Sequence, residues 1–193
     1  MTDLKDFVET VHFACLKHRD QRRKNPYKSP YINHPVEVAH ILADNGVEDV
    51  KILQAALLHD VLEDTSCTYE ELVEHFGTEV ADIVREVTDD KTTTKYERKK
   101  AQLDLTCKKS IGARLVKIGD KISNTKDLKD TPPEGWTELQ CLGYIHWSFA
   151  ICLSVIEAGD ISEKLQCCVW KHFESLGFDS VDEEVLTQYF ESL

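Results

Sequence analysis

The stretch Ile52-Leu53-Gln54-Ala55-Ala56-Leu57-Leu58 constrains the fold more than any other, because it is apolar nearly all round a helix and then runs directly into His59-Asp60. A helix with no polar face has to lie at the centre of a fold, with other elements covering it. Candidate covering elements follow from the same periodicity. Leu4, Phe7, Val8, Val11 and Cys15 recur at three- and four-residue steps and predict a first helix to about residue 20. Pro35 suits the first position of a second helix, which Val36, Val38, Ala39, Ile41 and Leu42 carry to a stop at Asn45-Gly46. Thr68-Tyr69-Glu70-Glu71 has the form of a capping box and opens a short helix ending near Gly77. Further helical segments follow over about 78–88 and about 95–106, separated by a polar loop from Thr88 to Thr94. Helices are also predicted from Ile111 to Leu128, with Leu115, Ile118 and Ile122 on the apolar face, from Trp136 to about Ala158, and from Ile161 to about Ser175. Asp182 is placed to cap a last short helix reaching Phe190. With no βαβ alternation, the expected class is all-α, a single helical bundle of about nine or ten helices.

An apolar central helix should not end in a His-Asp pair followed by Glu63-Asp64, since buried polar groups are costly unless bonded, paired or bound to metal. If the helix continues, Glu63 falls one turn beyond His59 and Asp64 one turn beyond Asp60. His59 and Asp60 would then reach an ion beside the helix from two flanks. Imidazole with carboxylate suits manganese, iron or zinc better than calcium or magnesium. His34 and Asp120, the latter inside an apolar helix face, are the best additional ligand candidates. From the residues alone a second reading stands beside this one. His59-Asp60 is also what a hydrogen-bonded core pair looks like, His34 also suits a helix cap, and Asp120 has Lys117 and Lys121 as candidate partners.

Charge narrows the partner class. A formal net charge of −12 is poorly suited to gripping nucleic-acid backbone, which is bound through clusters of Lys and Arg. A small anionic substrate fits if a metal or local basic groups overcome the surrounding field. The seven cysteines include no C-x-x-C pair and read as reduced thiols. The N-terminal segment carries acids rather than the basic start of a secretory signal, and no stretch is expected to approach the roughly 20 apolar residues of a membrane span. The expectation is a cytoplasmic protein with no nucleic-acid or membrane partner, of unspecified oligomeric state.

His34, then His59-Asp60, then Asp120 resembles the pattern of the HD superfamily of metal-dependent phosphohydrolases. Arg22-Arg23-Lys24, Pro30-Tyr31-Ile32-Asn33-His34-Pro35, Ala55 to Asp60, Glu63-Asp64-Thr65, Val87 to Lys91 and Asp120-Lys121-Ile122-Ser123-Asn124 are similar to the hydrolase domain of the RelA/SpoT family, and most of all to its stand-alone metazoan members. The resemblance spans about residues 5–176. It implies an HD-type hydrolase domain over 1–176, with 177–193 as a C-terminal extension holding a short helix. It implies hydrolysis of (p)ppGpp, a guanosine nucleotide, at the 3′-pyrophosphate, with Mn²⁺ or another divalent metal. By matching position, His34, His59, Asp60 and Asp120 would be metal ligands and Glu63 and Asp64 would serve the attacking water, with Glu63 the better placed on reach. Arg23 and Lys24 would flank the base, Asn124 would touch the sugar or base, and Lys95 and Tyr144 would lie near the phosphates.

Three positions depart from the family pattern. Gly119 replaces an alanine, at roughly 1 kcal/mol of helix propensity. Thr125 replaces an apolar residue and is expected to alter the base pocket. Gln140 stands where relatives often carry a basic residue. These departures touch substrate rather than ligands. They leave two alternatives in view: an HD-type phosphatase for another nucleotide bearing a ribose 2′- or 3′-phosphate, and a non-catalytic nucleotide sensor.

Overall fold

The structure is a computed structural model and describes residues 2–126, 128 and 131–193. Among these residues the chain forms α1 (Thr2–Lys17), α2 (Asn33–Asp44), α3 (Val50–Leu58), α4 (Val61–Asp64), α5 (Tyr69–Val87), α6 (Lys95–Leu105), a 3-10 turn (Thr106–Lys108), α7 (Ile111–Lys126), α8 (Glu138–Glu157), α9 (Glu163–Leu176) and α10 (Glu183–Glu191). The described residues contain no strand beyond an isolated Arg22–Pro30 bridge, so the all-α expectation is met.

Two helices form the centre. In α3, Ile52, Ala55, Ala56, Leu57 and Leu58 are buried, with α1, α2, α5 and α7 packed around them. Its one polar interior residue, Gln54, donates to Thr10 Oγ1 on α1 at 2.8 Å, so the burial leaves no orphan there. In α7 every residue from Gly112 to Ser123 is buried, among α2, α3, α5, α8 and α9. Of the metal-type residues, Asp120 therefore projects from one of these central helices and His59 from the end of the other, while His34 comes from α2 and Asp60 from the break after α3.

Several boundaries differ from expectation. The first helix stops at Lys17 rather than near 20, because residues 18–32 form a basic turn pinned by Arg23 N donating to Ser29 O at 2.8 Å. The second helix starts at Asn33, so Pro35 sits third; it is still inside the first turn, where no backbone N–H needs an intrahelical acceptor. The central helix does not continue through the His-Asp pair. It ends at Leu58 with His59 as its C-cap, and Val61–Asp64 forms a separate turn. Thr68 caps α5 by accepting from Glu71 N, but the Glu71 carboxylate goes to Lys17 at 2.7 Å instead of closing a capping box. The expected stop near Gly77 is a kink, with φ 81° and ψ 166°, a left-handed backbone angle that favours glycine.

An 18-residue window of the 20-residue α8 has a mean hydropathy of 1.5, and the helix meets the length and composition of a membrane-crossing one, contrary to the expectation that no stretch would. Half of it is buried, with Ile145, Trp147, Phe149, Ile151, Cys152 and Val155 facing other helices. All seven cysteines are free thiols. At the C-terminus, Leu186 and Tyr189 of α10 are buried with Trp147 and Ile151 of α8 in a second small core.

Candidate functional site

The break between α3 and α4 is what builds the site. As C-cap, His59 is 3% exposed, and its Nδ1 lies 2.8 Å from Ala56 O. A carbonyl only accepts, so Nδ1 carries the proton and Nε2 of the neutral ring is left with a lone pair. That Nε2 is buried and has no hydrogen-bond partner. His34, near the start of α2, is fixed in the same sense by a longer chain. Ser123 Oγ donates to Glu37 Oε2 at 2.8 Å, which commits its only proton. His34 Nδ1, 2.9 Å away, must therefore be the donor to Ser123 Oγ, leaving Nε2 unprotonated.

Both bare Nε2 atoms face carboxylates. His59 Nε2 lies 3.0 Å from Asp60 Oδ2 and 3.8 Å from Asp120 Oδ1, and His34 Nε2 lies 3.7 and 3.3 Å from the same two oxygens. Ligand atoms of His34, His59 and Asp120 all fall within 4.8 Å of one another, and Asp60 closes the group from the helix break. Four acceptor atoms this close, with no proton between them, call for a cation. The electrostatics say the same. Burial disfavours charge on His59, but Asp60 and Asp120 outweigh it and push His59 up to about 9. Burial, joined by the charge of His59, holds His34 below the usual histidine value against the pull of Asp120 and Asp60. Burial also works against ionised Asp60 and Asp120, yet His59 beside the former and Lys121 beside the latter hold both carboxyls below the usual range. The donor set thus fits a divalent metal ion of the kind bound by imidazole and carboxylate together.

Further contacts orient the carboxylates. Tyr31 donates to Asp60 Oδ2 at 2.6 Å. Asn124 Nδ2 donates to Asp120 Oδ1 at 2.5 Å, and Lys121 Nζ lies 3.0 Å from Oδ2. Asp64 accepts from Gln21 Nε2 at 3.0 Å and Lys91 Nζ at 2.9 Å. Glu63 Oε2 accepts from Asp89 N at 3.3 Å. Burial, then Asp89 and Asp60, raise the Glu63 carboxyl above its ordinary value.

Beside the cluster opens a cleft of about 290 Å³, into which Arg23, Lys24, Asn124 and Tyr144 converge with Asp64 and Trp136. Arg23 Nη2 donates to Asn124 Oδ1 at 3.0 Å, tying the basic turn to α7. Asp64, rather than Glu63, lines this cleft. Lys95 is exposed at the start of α6 and does not line it. Tyr31, Gln21, Ser123 and Glu37 were not singled out from sequence; only Tyr31 carried a signal, lying three residues before His34.

The departures find physical explanations. Thr125 does not face the cleft: its Oγ1 donates to Lys121 O at 2.7 Å and meets His172 Nε2 of α9 at 2.7 Å. The expectation that it alters the base pocket is thus corrected. Gln140 closes a capping box with Thr137 at the start of α8, its Oε1 accepting from Thr137 N at 2.9 Å. At Gly119 an added Cβ would lie 3.0 Å from Val38 Cγ1, so the missing methyl lets α7 approach α2 closely.

Comparison with known proteins agrees with this geometry. The HD domain family model matches residues 10–141. The guanosine-3′,5′-bis(diphosphate) 3′-pyrophosphohydrolase MESH1 of Xenopus tropicalis is 50% identical over 148 residues, covering 76% of this chain and 83% of its own. Its Homo sapiens counterpart is 48% identical over the same shares. A solved structure described as a metazoan ortholog of SpoT that hydrolyzes ppGpp superposes with a TM-score of 0.78 at 38% identity, covering 89% of this chain and 96% of that one. The chain belongs to the HD-domain family, in the group that contains these 3′-pyrophosphohydrolases.

Proposed function

We propose that this chain is a metal-dependent hydrolase that removes pyrophosphate from the 3′ position of guanosine 3′-diphosphate 5′-di- or triphosphate, giving GDP or GTP. The observation that carries this reading is the pair of inward, unprotonated Nε2 atoms of His34 and His59 facing Asp60 and Asp120, at the edge of a cleft lined by Arg23, Lys24, Asn124 and Tyr144. The named activity of relatives at about half identity supports it.

In this reading His34, His59, Asp60 and Asp120 hold the ion; their chemistry admits manganese, iron or zinc, and Mn²⁺ is the one that the family resemblance implies. A bound divalent ion supplies Lewis acidity toward a phosphoryl oxygen and a more acidic water. Glu63, whose carboxyl is raised above its ordinary value by burial, accepts the proton of the attacking water. Asp64, held by Gln21 and Lys91, orients that water from the cleft side. Arg23 and Lys24 flank the base, Asn124 contacts the ribose, and Tyr144 and Lys95 lie toward the phosphates. Residues 1–176 make up the hydrolase domain and 177–193 an extension laid against it. The substrate is a small nucleotide rather than nucleic acid or a membrane, and the compartment we assign is the cytoplasm.

The test is turnover of a nucleotide panel by purified protein with Mn²⁺, including substrates bearing a ribose 2′- or 3′-monophosphate. The guanosine 3′-diphosphate should be preferred, and Asp60→Ala should abolish both turnover and retained metal measured by elemental analysis. Equal rates on simple nucleotide monophosphates would overturn the substrate, and full activity in Asp60→Ala would overturn the site.

A further inference from the structure

Of three lysines near the metal cluster, two have no carboxylate partner among the described residues and the third has only Asp120, itself one of the candidate metal ligands. Lys117 and Lys121 stand one turn apart on α7, at 5% and 3% exposure. Lys99, half-buried on α6, faces them from across Trp147: its Nζ lies 3.5 Å from the Trp147 ring centre, 4.5 Å from that of Tyr144 and 5.5 Å from that of Tyr189. Lys121 Nζ sits 4.3 Å from the same Trp147 ring. The indole is itself fixed, since Trp147 Nε1 donates to Lys99 O at 3.0 Å.

Among the described residues, neither Lys117 nor Lys99 has a carboxylate within 4 Å or a hydrogen-bond acceptor for its ammonium group. Aromatic faces offset part of the cost at Lys99, but nothing comparable serves Lys117. Its charge acts on Glu63 and on Asp120, which lies one turn further along α7. Lys121 has Asp120 alone, at 3.0 Å. Once Asp120 and Asp60 serve a dication, Lys121 loses that compensation as well. The remaining carboxylates nearby are already engaged, Asp89 by both contacts to Gln102 at 2.8 and 2.7 Å and Glu63 by Asp89 N. Three ammonium groups sharing one carboxylate are, in a chain of net charge −12, a local reversal of the global field.

We propose that Lys99, Lys117 and Lys121 form an anion pocket on the α6–α7–α8 side of the metal cluster, shaped for a group with several negative oxygens, namely an inorganic pyrophosphate chain. The link to turnover rests on the hydrolase reading above; the pocket itself is tested by binding alone.

The probe is inorganic pyrophosphate, titrated as its manganese complex into metal-loaded protein by calorimetry and by tryptophan fluorescence. Trp147, held by two of the three ammonium groups, should report occupancy as a saturable signal. Lys117→Met and Lys99→Met should each weaken pyrophosphate binding about tenfold, the scale of one hydrogen bond to a charged group. Metal content should stay at the wild-type level, and the melting temperature should hold or rise, because an uncompensated buried charge has been replaced by a side chain of similar length. A merely structural lysine would give the opposite result, lost stability with unchanged affinity. Wild-type affinity in both variants, or no saturable signal in the wild type, overturns the pocket. Pyrophosphate binding that is intact in a protein unable to turn over the guanosine 3′-diphosphate overturns the hydrolase reading and leaves the pocket standing.

Discussion

Tyr31 shows how much of the site depends on single hydrogen bonds that cross the fold. Its hydroxyl gives Asp60 a 2.6 Å bond, and its ring lies against His18 and His34, at 5.0 and 5.9 Å between centres. Burial, with Asp60 next, raises the phenol far above its ordinary value, so it stays a donor at every physiological pH. Tyr31→Phe keeps the ring and removes only that donor, leaving Asp60 free to turn. Losses of this kind typically weaken metal affinity by about 10–100-fold. Competition with a metallochromic chelator should show such a loss with little change in melting temperature, and unchanged affinity would mean that Asp60 is set by α4 alone. His59-Asp60 and Asp120 were readable from sequence because they interrupt apolar helix faces, and His34 through the family pattern it shares with them. Tyr31, Ser123 and Glu37 were not, since their bonds join residues 29, 89 and 86 positions apart and no local periodicity encodes them.

At the scale of elements, the helices were legible where a cap and an apolar stripe agreed, as at Asp182, which caps α10 through its side chain; Thr94, Thr137 and Ser162 also cap helices, and their neighbouring stripes rather than the caps marked those elements. The break at His59-Asp60 was not, because neither residue is a helix breaker; the interruption is stabilised by contacts made elsewhere in the chain. The packing of α10 was equally hidden. Gly143 on α8 is the position that admits it, since an added Cβ would fall 2.4–2.6 Å from Cβ, Cγ and Cδ2 of Tyr189. These atoms are the root of the side chain and cannot swing away, so α10 itself has to shift. Gly143→Ala should therefore cost about 1–3 kcal/mol of stability, the usual range for overpacking, despite alanine's better helix propensity. Limited proteolysis should cut the variant in residues 177–193 earlier than the wild type. A variant as stable and as resistant as the wild type would show that α10 is not held by this contact.

For the molecule as a whole, histidines that join helices in their neutral form govern the response to acid. His146 Nδ1 on α8 accepts from Asp182 N at 3.0 Å and so anchors the start of α10, while His172 on α9 meets Thr125 of α7 at 2.7 Å. Burial lowers both, and for His172 burial and then Lys126 bring the value to about 4. The sign follows from linkage. Below the ordinary histidine value of about 6.5 the unfolded chain takes up a proton that folded His172 refuses. Stability is therefore lost as pH falls from about 6.5 toward about 4, and the loss levels off once both states are protonated. Net charge opposes this: the chain moves from −12 at neutrality toward its isoelectric point near 5.1, which relieves self-repulsion. The observed slope of melting temperature against pH is thus a difference of two effects, and only a comparison isolates the histidine. His172→Gln keeps a donor toward Thr125 and leaves the rest of the charge pattern intact, so its melting temperature should fall less steeply than that of the wild type between about pH 6.5 and 4.5. Parallel curves for the two proteins would place the acid sensitivity at His146, His34 or the carboxylates of the metal cluster.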